Sequence, residues 1–290
     1  MCDEQTQADN ARFLAQGMNR RDVGKAAGAV AVVSVLPSPA NAAAVREANI
    51  IVKTPDGQAD CFFVHPSIGR HPAVLIWPDA FGLRPAIRQM ARRLAQSGYS
   101  VLAINPYYRE HKAPVLSADA ELMAPETLKI VRGLMASLSP DTNVRDAKAM
   151  FAFLDAQASV DPKRKAGTIG YCMGGAMTMR TAAALPARIG AGASFHGGGL
   201  ATDRADSPHL LIPRMKARYL VAVAANDDER NPQEKDVLRA AFKGAGLPAE
   251  IEVYKGALHG WCPPDTAVYN KPQAEKAWAR MLALFETALR

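Results

Sequence analysis

The sequence has few cysteines, and none of them is spaced for a metal site or a redox pair. Its four cysteines, in a chain of 290 residues, include no CxxC pair, which argues against a zinc ribbon and a disulfide framework. Internal repeats, low-complexity tracts and apolar runs long enough to cross a bilayer are also missing. The basic residues are scattered without interleaved aromatics, so the net charge of +7 gives little support for nucleic-acid binding. Alternatively, this net positive charge indicates a weak electrostatic attraction for anionic substrates.

The first 43 residues have the composition of an export signal rather than of a folded domain. Arg20 and Arg21 form a twin-arginine pair, an apolar run follows over 26–36, and residues 40–42 read Ala-Asn-Ala, which fits a cleavage site. We therefore predict a twin-arginine signal that directs the protein to the periplasm or outside the cell. The alternative is a frayed amphipathic terminus on a cytoplasmic protein.

Short apolar runs alternate with helical patterns over residues 44–290. The runs AVLIW, SVLAI, AGTIGY and YLVAVA are typical of strands that are buried on both faces of a sheet. Between the runs, apolar residues recur at helical spacing, for example Ile87, Met90, Ala91 and Leu94. This alternation predicts one α/β domain with a mostly parallel sheet and helices on both faces.

The stretch GTIGYCMGGAM, at 167–177, places a cysteine in a turn between a buried strand and a helix. Gly170 and Gly174 stand two residues on either side of Cys172, which is the G-x-S-x-G nucleophile elbow with cysteine in place of serine. Glycine fits both positions because the sharp turn crowds the residues two before and two after the nucleophile. The N-terminal N–H groups of the following helix favour a thiolate. The alternative is tight packing around a small buried thiol.

A cysteine nucleophile needs a histidine as its base and, in this architecture, an acid that precedes the histidine in the chain. Asp227 and Asp228 follow one predicted strand, and His259 follows the next, in the required order. We favour Asp227 as the acid because it lies nearer the strand end, with Asp228 as the runner-up. The backbone N–H groups of Ala80 and Met173 are placed to form an oxyanion hole.

Four stretches together resemble the dienelactone hydrolase family of α/β-hydrolases: WPDAFGLR, GYCMGGAM, AANDD and ALHGWCPP. The resemblance covers residues 45–289 and implies an α/β-hydrolase fold and hydrolysis of ester or lactone bonds, as in a carboxymethylenebutenolidase. It also implies that no cofactor and no metal take part. The residues that match the family's catalytic triad are Cys172, His259 and Asp227.

The resemblance assigns roles to two charged side chains near the elbow. Asp79 matches a glutamate that influences the thiol, and Arg109 in NPYYRE is similar to an arginine that holds a substrate carboxylate. A second such arginine follows the histidine in the family, but the stretch HGWCPPD contains none. His196 ends a predicted strand, where it is a candidate to line the pocket. We expect a monomer that acts on a small ester or lactone, anionic ones included, with no nucleic-acid partner and no stable membrane anchor.

Two other functions also use a cysteine at such a turn. Glutamine amidotransferase-like enzymes usually carry His-x-Glu, whereas this chain has Gly260 and Trp261 after His259. A non-catalytic thiol sensor or binding module would pair Cys172 with Cys262, which lies three residues after the histidine. Turnover that needs no disulfide would favour the hydrolase over the sensor.

Overall fold

The computed structural model describes residues 4–17, 36–39 and 41–290. The strands are β1 Val45–Thr54, β2 Gly57–Pro66, β3 Ala73–Trp77, β4 Ser100–Ile104, β5 Ala166–Tyr171, β6 Ile189–Phe195, β7 Arg218–Ala224 and β8 Ala249–Tyr254. The helices are α1 Glu4–Gly17, α2 Pro85–Gln96, α3 Pro125–Met135, α4 Pro140–Asp155, α5 Met173–Ala184, α6 Ala225–Arg230, α7 Glu234–Gly244 and α8 Lys271–Ala288, with a 3-10 helix at Pro208–Arg214. The predicted twin-arginine pair and most of the apolar run after it lie outside the described residues.

The eight strands form one sheet in the order β1-β2-β4-β3-β5-β6-β7-β8. The hairpin of β1 and β2 is antiparallel, and so is the pairing of β2 with β4, whereas the other neighbours pair in parallel. After β3 the chain moves to one side to form β4 and then returns to form β5 on the other side. This change of direction opens a crevice at the carboxyl ends of β3 and β5, where open α/β sheets bind their ligands.

Side chains on the central strands alternate between two hydrophobic cores, one on each face of the sheet. On β3, Leu75 and Trp77 contact the core that includes α3, α4, α5 and α7, whereas Val74 and Ile76 contact the core that includes α2 and α8. All four side chains are fully buried, and burial of each large aliphatic side chain contributes about 1.5–3 kcal/mol to stability. The sheet is therefore covered on both faces, as the alternation of apolar runs and helices predicts.

The N-terminal helix α1 contacts the domain at α6, the short helix that follows β7. Asp9 on α1 accepts hydrogen bonds from the side chains of Asn226 and Arg230, each over 3.0 Å. Thr6 and Asn10, on the same helix, are also buried. None of the helices within the described ranges has the length and hydropathy needed to cross a membrane.

Candidate active site

Cys172 lies in a strained turn between the end of β5 and the start of α5. Its backbone has φ 52 and ψ −117, a left-handed conformation that non-glycine residues adopt at a cost of about 1–3 kcal/mol. A Cβ atom on Gly170 would lie 2.1 Å from the carbonyl oxygen of Gly174, and one on Gly174 would lie 2.4 Å from that of Trp77. The two glycines therefore let the elbow close and let α5 approach the end of β3.

His259 and Asp227 meet at the carboxyl ends of β7 and β8. The Nδ1 atom of His259 lies 2.6 Å from Oδ2 of Asp227. The side-chain oxygen of Asn226 accepts the backbone N–H of His259 over 2.9 Å, which fixes the histidine loop to the start of α6. Asp228 points elsewhere, because its carboxylate is bound by Nζ of Lys235 over 2.6 Å. The structure thus brings Asp227, rather than the runner-up, to the histidine.

The imidazole of His259 lies between this carboxylate and the thiol of Cys172. Burial lowers the pKa of His259, but the charges of Cys172 and Asp227 and their hydrogen bonds outweigh burial and raise it to about 9. Nδ1 of His259 is bonded to Asp227, so Nε2 is the ring nitrogen that remains to interact with the thiol. Nε2 has no oxygen or nitrogen partner in the described part of the chain. Burial also opposes ionisation of Asp227, but His259 holds the pKa of Asp227 below its usual value. These interactions favour a thiolate–imidazolium pair.

Cys172 is 1% exposed, and His259 is 2% exposed. A small molecule could therefore reach the sulfur only after neighbouring groups move. Burial is the main cause that raises the pKa of the nearby carboxyl of Asp79, and the charge of Cys172 acts in the same direction.

Asp79 is held by Arg84, a residue that the sequence analysis missed. The guanidinium of Arg84 donates to the two oxygens of Asp79 over 2.7 and 3.0 Å, and to the two oxygens of Asp265 over 2.6 and 2.9 Å. Burial raises the pKa of Asp79, and the charge of Arg84 opposes that effect. No spacing in the sequence predicts the contact with Asp265, because Arg84 and Asp265 lie 181 positions apart.

The two residues predicted for the oxyanion hole, Ala80 and Met173, are joined by Tyr107, which the sequence analysis also missed. The hydroxyl of Tyr107 donates to the carbonyl oxygen of Ala80 over 2.9 Å and lies 3.3 Å from the sulfur of Met173. Met173 is the first residue of α5, so its N–H is one of the donors that a helix leaves unused at its start. Tyr107 is fully buried and belongs to the chain that follows β4.

His196 packs against the histidine and is completely buried. Its ring centre lies 5.1 Å from that of His259, at an interplanar angle of 66°. Both of its ring nitrogens lack a hydrogen-bond partner among the described residues. Burial, together with the charge of His259, lowers the pKa of His196 to about 3, so this ring stays neutral beside the imidazolium.

Arg109 is held by two aspartates from other parts of the fold. It donates to Asp56, in the turn between β1 and β2, over 2.5 Å and to Asp146, on α4, over 2.7 Å. These bonds direct its guanidinium toward the hairpin and α4.

Cys262, which the sensor alternative would pair with Cys172, is a buried free thiol rather than half of a disulfide. It packs in the core on the α2–α8 face of the sheet.

The comparison with known proteins decides the family. The family model described as "Dienelactone hydrolase family" matches residues 60–289. The chain belongs to the dienelactone hydrolase family. Two curated relatives of this family member carry the name "Putative carboxymethylenebutenolidase". That of Synechocystis sp. is 28% identical over 227 residues, which are 77% of this chain and 89% of the relative. That of Salmonella typhi is 28% identical over 268 residues, which are 86% of this chain and 95% of the relative.

Solved structures confirm the α/β-hydrolase fold of this dienelactone hydrolase family member. A "Putative Dienelactone Hydrolase" from Klebsiella pneumoniae superposes with a TM-score of 0.73 at 24% identity and covers 84% of this chain and 99% of its own. The dienelactone hydrolase-like promiscuous phosphotriesterase P91, from metagenomic libraries, superposes with a TM-score of 0.70 at 23% identity. The superposition covers 85% of this chain and 100% of P91.

Proposed function

We propose that the protein hydrolyses ester or lactone bonds with Cys172 as the nucleophile, His259 as the proton carrier and Asp227 as the acid that orients the histidine. The observation that carries this proposal is the 2.6 Å bond between Nδ1 of His259 and Asp227, on an imidazole whose pKa the Cys172 thiolate raises. Membership of a hydrolase family supports the same reaction class.

In the first half of the reaction, the thiolate attacks the carbonyl carbon, and the electron pair of the carbonyl bond moves to oxygen. The N–H groups of Ala80 and Met173 stabilise this oxyanion. When the intermediate collapses, the carbon–oxygen single bond breaks, and the leaving alkoxide takes the proton of the imidazolium at Nε2. In a lactone, the released alcohol stays attached to the acyl group.

In the second half, neutral His259 takes a proton from water, and the resulting hydroxide attacks the thioester. The oxyanion collapses again, the carbon–sulfur bond breaks, and the carboxylic acid leaves. Asp227 keeps the proton on Nδ1 throughout, so that Nε2 is the atom that accepts and returns protons.

The test is turnover of 4-nitrophenyl acetate by the wild-type protein and by C172A, with far-UV circular dichroism to show that the variant is folded. We expect wild-type turnover in the presence of reductant and a loss of at least about 1,000-fold in C172A. Retained turnover in folded C172A would refute the nucleophile. A wild-type protein that is inactive yet forms a reversible Cys172–Cys262 disulfide would support the sensor instead.

We also propose that the residues before 44 act as a twin-arginine export signal. The support is the pair Arg20 and Arg21, with the apolar run and the Ala-Asn-Ala sequence that follow. Expression in a bacterium with a twin-arginine system, followed by the intact mass of the periplasmic protein, tests it. A mature chain that begins near residue 43 is expected. A full-length protein retained in the cytoplasm would contradict the proposal.

A further inference from the structure

Two arginines lie on the loops that follow β3 and β4, at the reactive end of the sheet, and each is bridged by two aspartates. Arg84 places four of its hydrogen bonds on the carboxylates of Asp79 and Asp265. Arg109 is shared in the same way between Asp56 and Asp146. A guanidinium has five N–H donors in a rigid fork, so neither arginine keeps a pair of donors for a bidentate bond to another carboxylate.

The first of these groups, which we call the Asp79–Arg84–Asp265 cluster, adjoins the thiol. Asp79 directly precedes Ala80, and the backbone just before it lies against the elbow of Cys172, since a Cβ atom on Gly174 would lie 2.9 Å from the carbonyl oxygen of Pro78. Asp265 belongs to the loop that begins at His259. Both carboxylates accept two N–H bonds from one guanidinium, so the cluster carries a formal charge of −1. Its side chains are 4% exposed at Asp79, 7% at Arg84 and 14% at Asp265, so water screens this charge poorly.

We propose that the Asp79–Arg84–Asp265 cluster restricts the site to esters or lactones that carry no carboxylate close to the bond that is cleaved. This inference rests on the proposed function and names the substrate class for the same site. A substrate carboxylate would find the nearby guanidinium already bound and would approach a buried negative charge. Selectivity of this kind comes from a repulsive element rather than from an added contact.

The test compares two substrates of similar size: mono-4-nitrophenyl adipate and its methyl ester, which differ in one negative charge and one methyl group. We expect the wild-type kcat/KM to be at least about tenfold higher for the methyl ester, as for one charge about 12 Å away at an effective dielectric constant of about 20. In D265N, Arg84 and Asp79 form a neutral pair, so the preference for the methyl ester is expected to fall severalfold.

Two variants separate charge from structure. D265E keeps the charge and is expected to keep the wild-type preference even if its overall rate falls. D206N removes a charge from the exposed Arg204–Asp206 pair and is expected to leave the preference unchanged. If D265N does not fold, inhibition of the wild-type protein tests the same inference. The inhibition constant of hexanoate is expected to be at least about tenfold higher than that of hexanamide.

The outcomes distinguish this inference from the function on which it rests. Wild-type turnover of both substrates with no preference, or with a preference for the acid, would overturn the inference and leave the hydrolase intact. An unchanged preference in folded D265N would overturn the role of the cluster. Failure of the wild-type protein to hydrolyse either ester would contradict the proposed function, and the substrate class would fall with it.

Discussion

His259 and Asp227 are joined by a 2.6 Å hydrogen bond across 32 positions of the chain. The bond is possible because β7 and β8 are parallel neighbours, so the segments that follow them emerge at the same edge of the sheet. A second bond, from the backbone N–H of His259 to the side chain of Asn226, fixes the distance between the two segments. The pair is thus held by backbone topology as well as by its own charge.

We predict that D227N lowers kcat by on the order of 1,000- to 10,000-fold, because an amide cannot hold the histidine in the tautomer that leaves Nε2 ready to accept a proton. Steady-state kinetics with 4-nitrophenyl acetate measure the effect. D228N is the matched control, since Asp228 is bound to Lys235 instead, and its kcat is expected to stay within about threefold of wild type. A larger loss in D228N than in D227N would reverse the assignment of the acid.

The raised pKa of His259 predicts how stability depends on pH. The folded pKa of about 9 exceeds the unfolded value of about 6.5, so the stabilising contribution is complete below about pH 6.5 and is lost as pH rises through 9. Urea unfolding of C172A and of C172A/H259Q across this range measures the contribution with no thiol titrating beside the imidazole, whose pKa Asp227 still raises. The difference in unfolding free energy between the two variants is expected to shrink as pH rises above about 6.5, by at most about 1.4 kcal/mol for each pH unit. A constant difference would contradict the prediction.

We predict that G170A destabilises the protein by about 2–4 kcal/mol, because its added methyl group would lie 2.1 Å from the carbonyl oxygen of Gly174 and the backbone there cannot give way cheaply. Thermal unfolding measures the loss. G133A is the control, since a Cβ atom on Gly133 in α3 meets nothing within 4 Å, and it is expected to be neutral or to stabilise by up to about 1 kcal/mol. Equal effects of the two variants would show that the elbow is not sterically restricted.

Y107F is predicted to lower kcat by about 10- to 100-fold with little change in KM, because the lost hydroxyl positions the Ala80 loop rather than binding the substrate. The hydrogen bond that Y107F removes is the one from the hydroxyl of Tyr107 to the carbonyl oxygen of Ala80. Y108F is the control, since the hydroxyl of Tyr108 bonds to Asp146 and Thr54 instead. An increase in KM alone would place Tyr107 in substrate binding and contradict a positioning role.

The fold was largely predictable because its strands are buried on both faces and carry an unbroken apolar signal. The runs at β3, β4 and β5 mark strands that the structure contains. The short helix α6 was not predictable in the same way, since ANDDER contains acids typical of a polar loop. Its helical form is associated with tertiary bonds, such as that from the backbone N–H of His259 to the side-chain oxygen of Asn226, which leave no local pattern.

Site residues that belong to a local sequence motif were easier to predict than site residues that are brought together by long-range contacts. The bracketing of Cys172 by two glycines follows from local steric crowding, so it can be read from five residues. The bonds of Arg84 to Asp265 span 181 positions, and those of Tyr107 to Ala80 span 27. Neither pair has a spacing that predicts contact, and both depend on where the loops of separate strands converge.

The docking of α1 links His259 to the beginning of the chain. Asp9 bonds to the amide nitrogen of Asn226, and the amide oxygen of the same side chain accepts the backbone N–H of His259. One amide group thus bonds both to the N-terminal helix and to the loop that carries His259. If the proposed export signal is cleaved near residue 43, the processed chain lacks the bond from Asn226 to Asp9, so the precursor and the processed form differ in what holds the loop that carries His259.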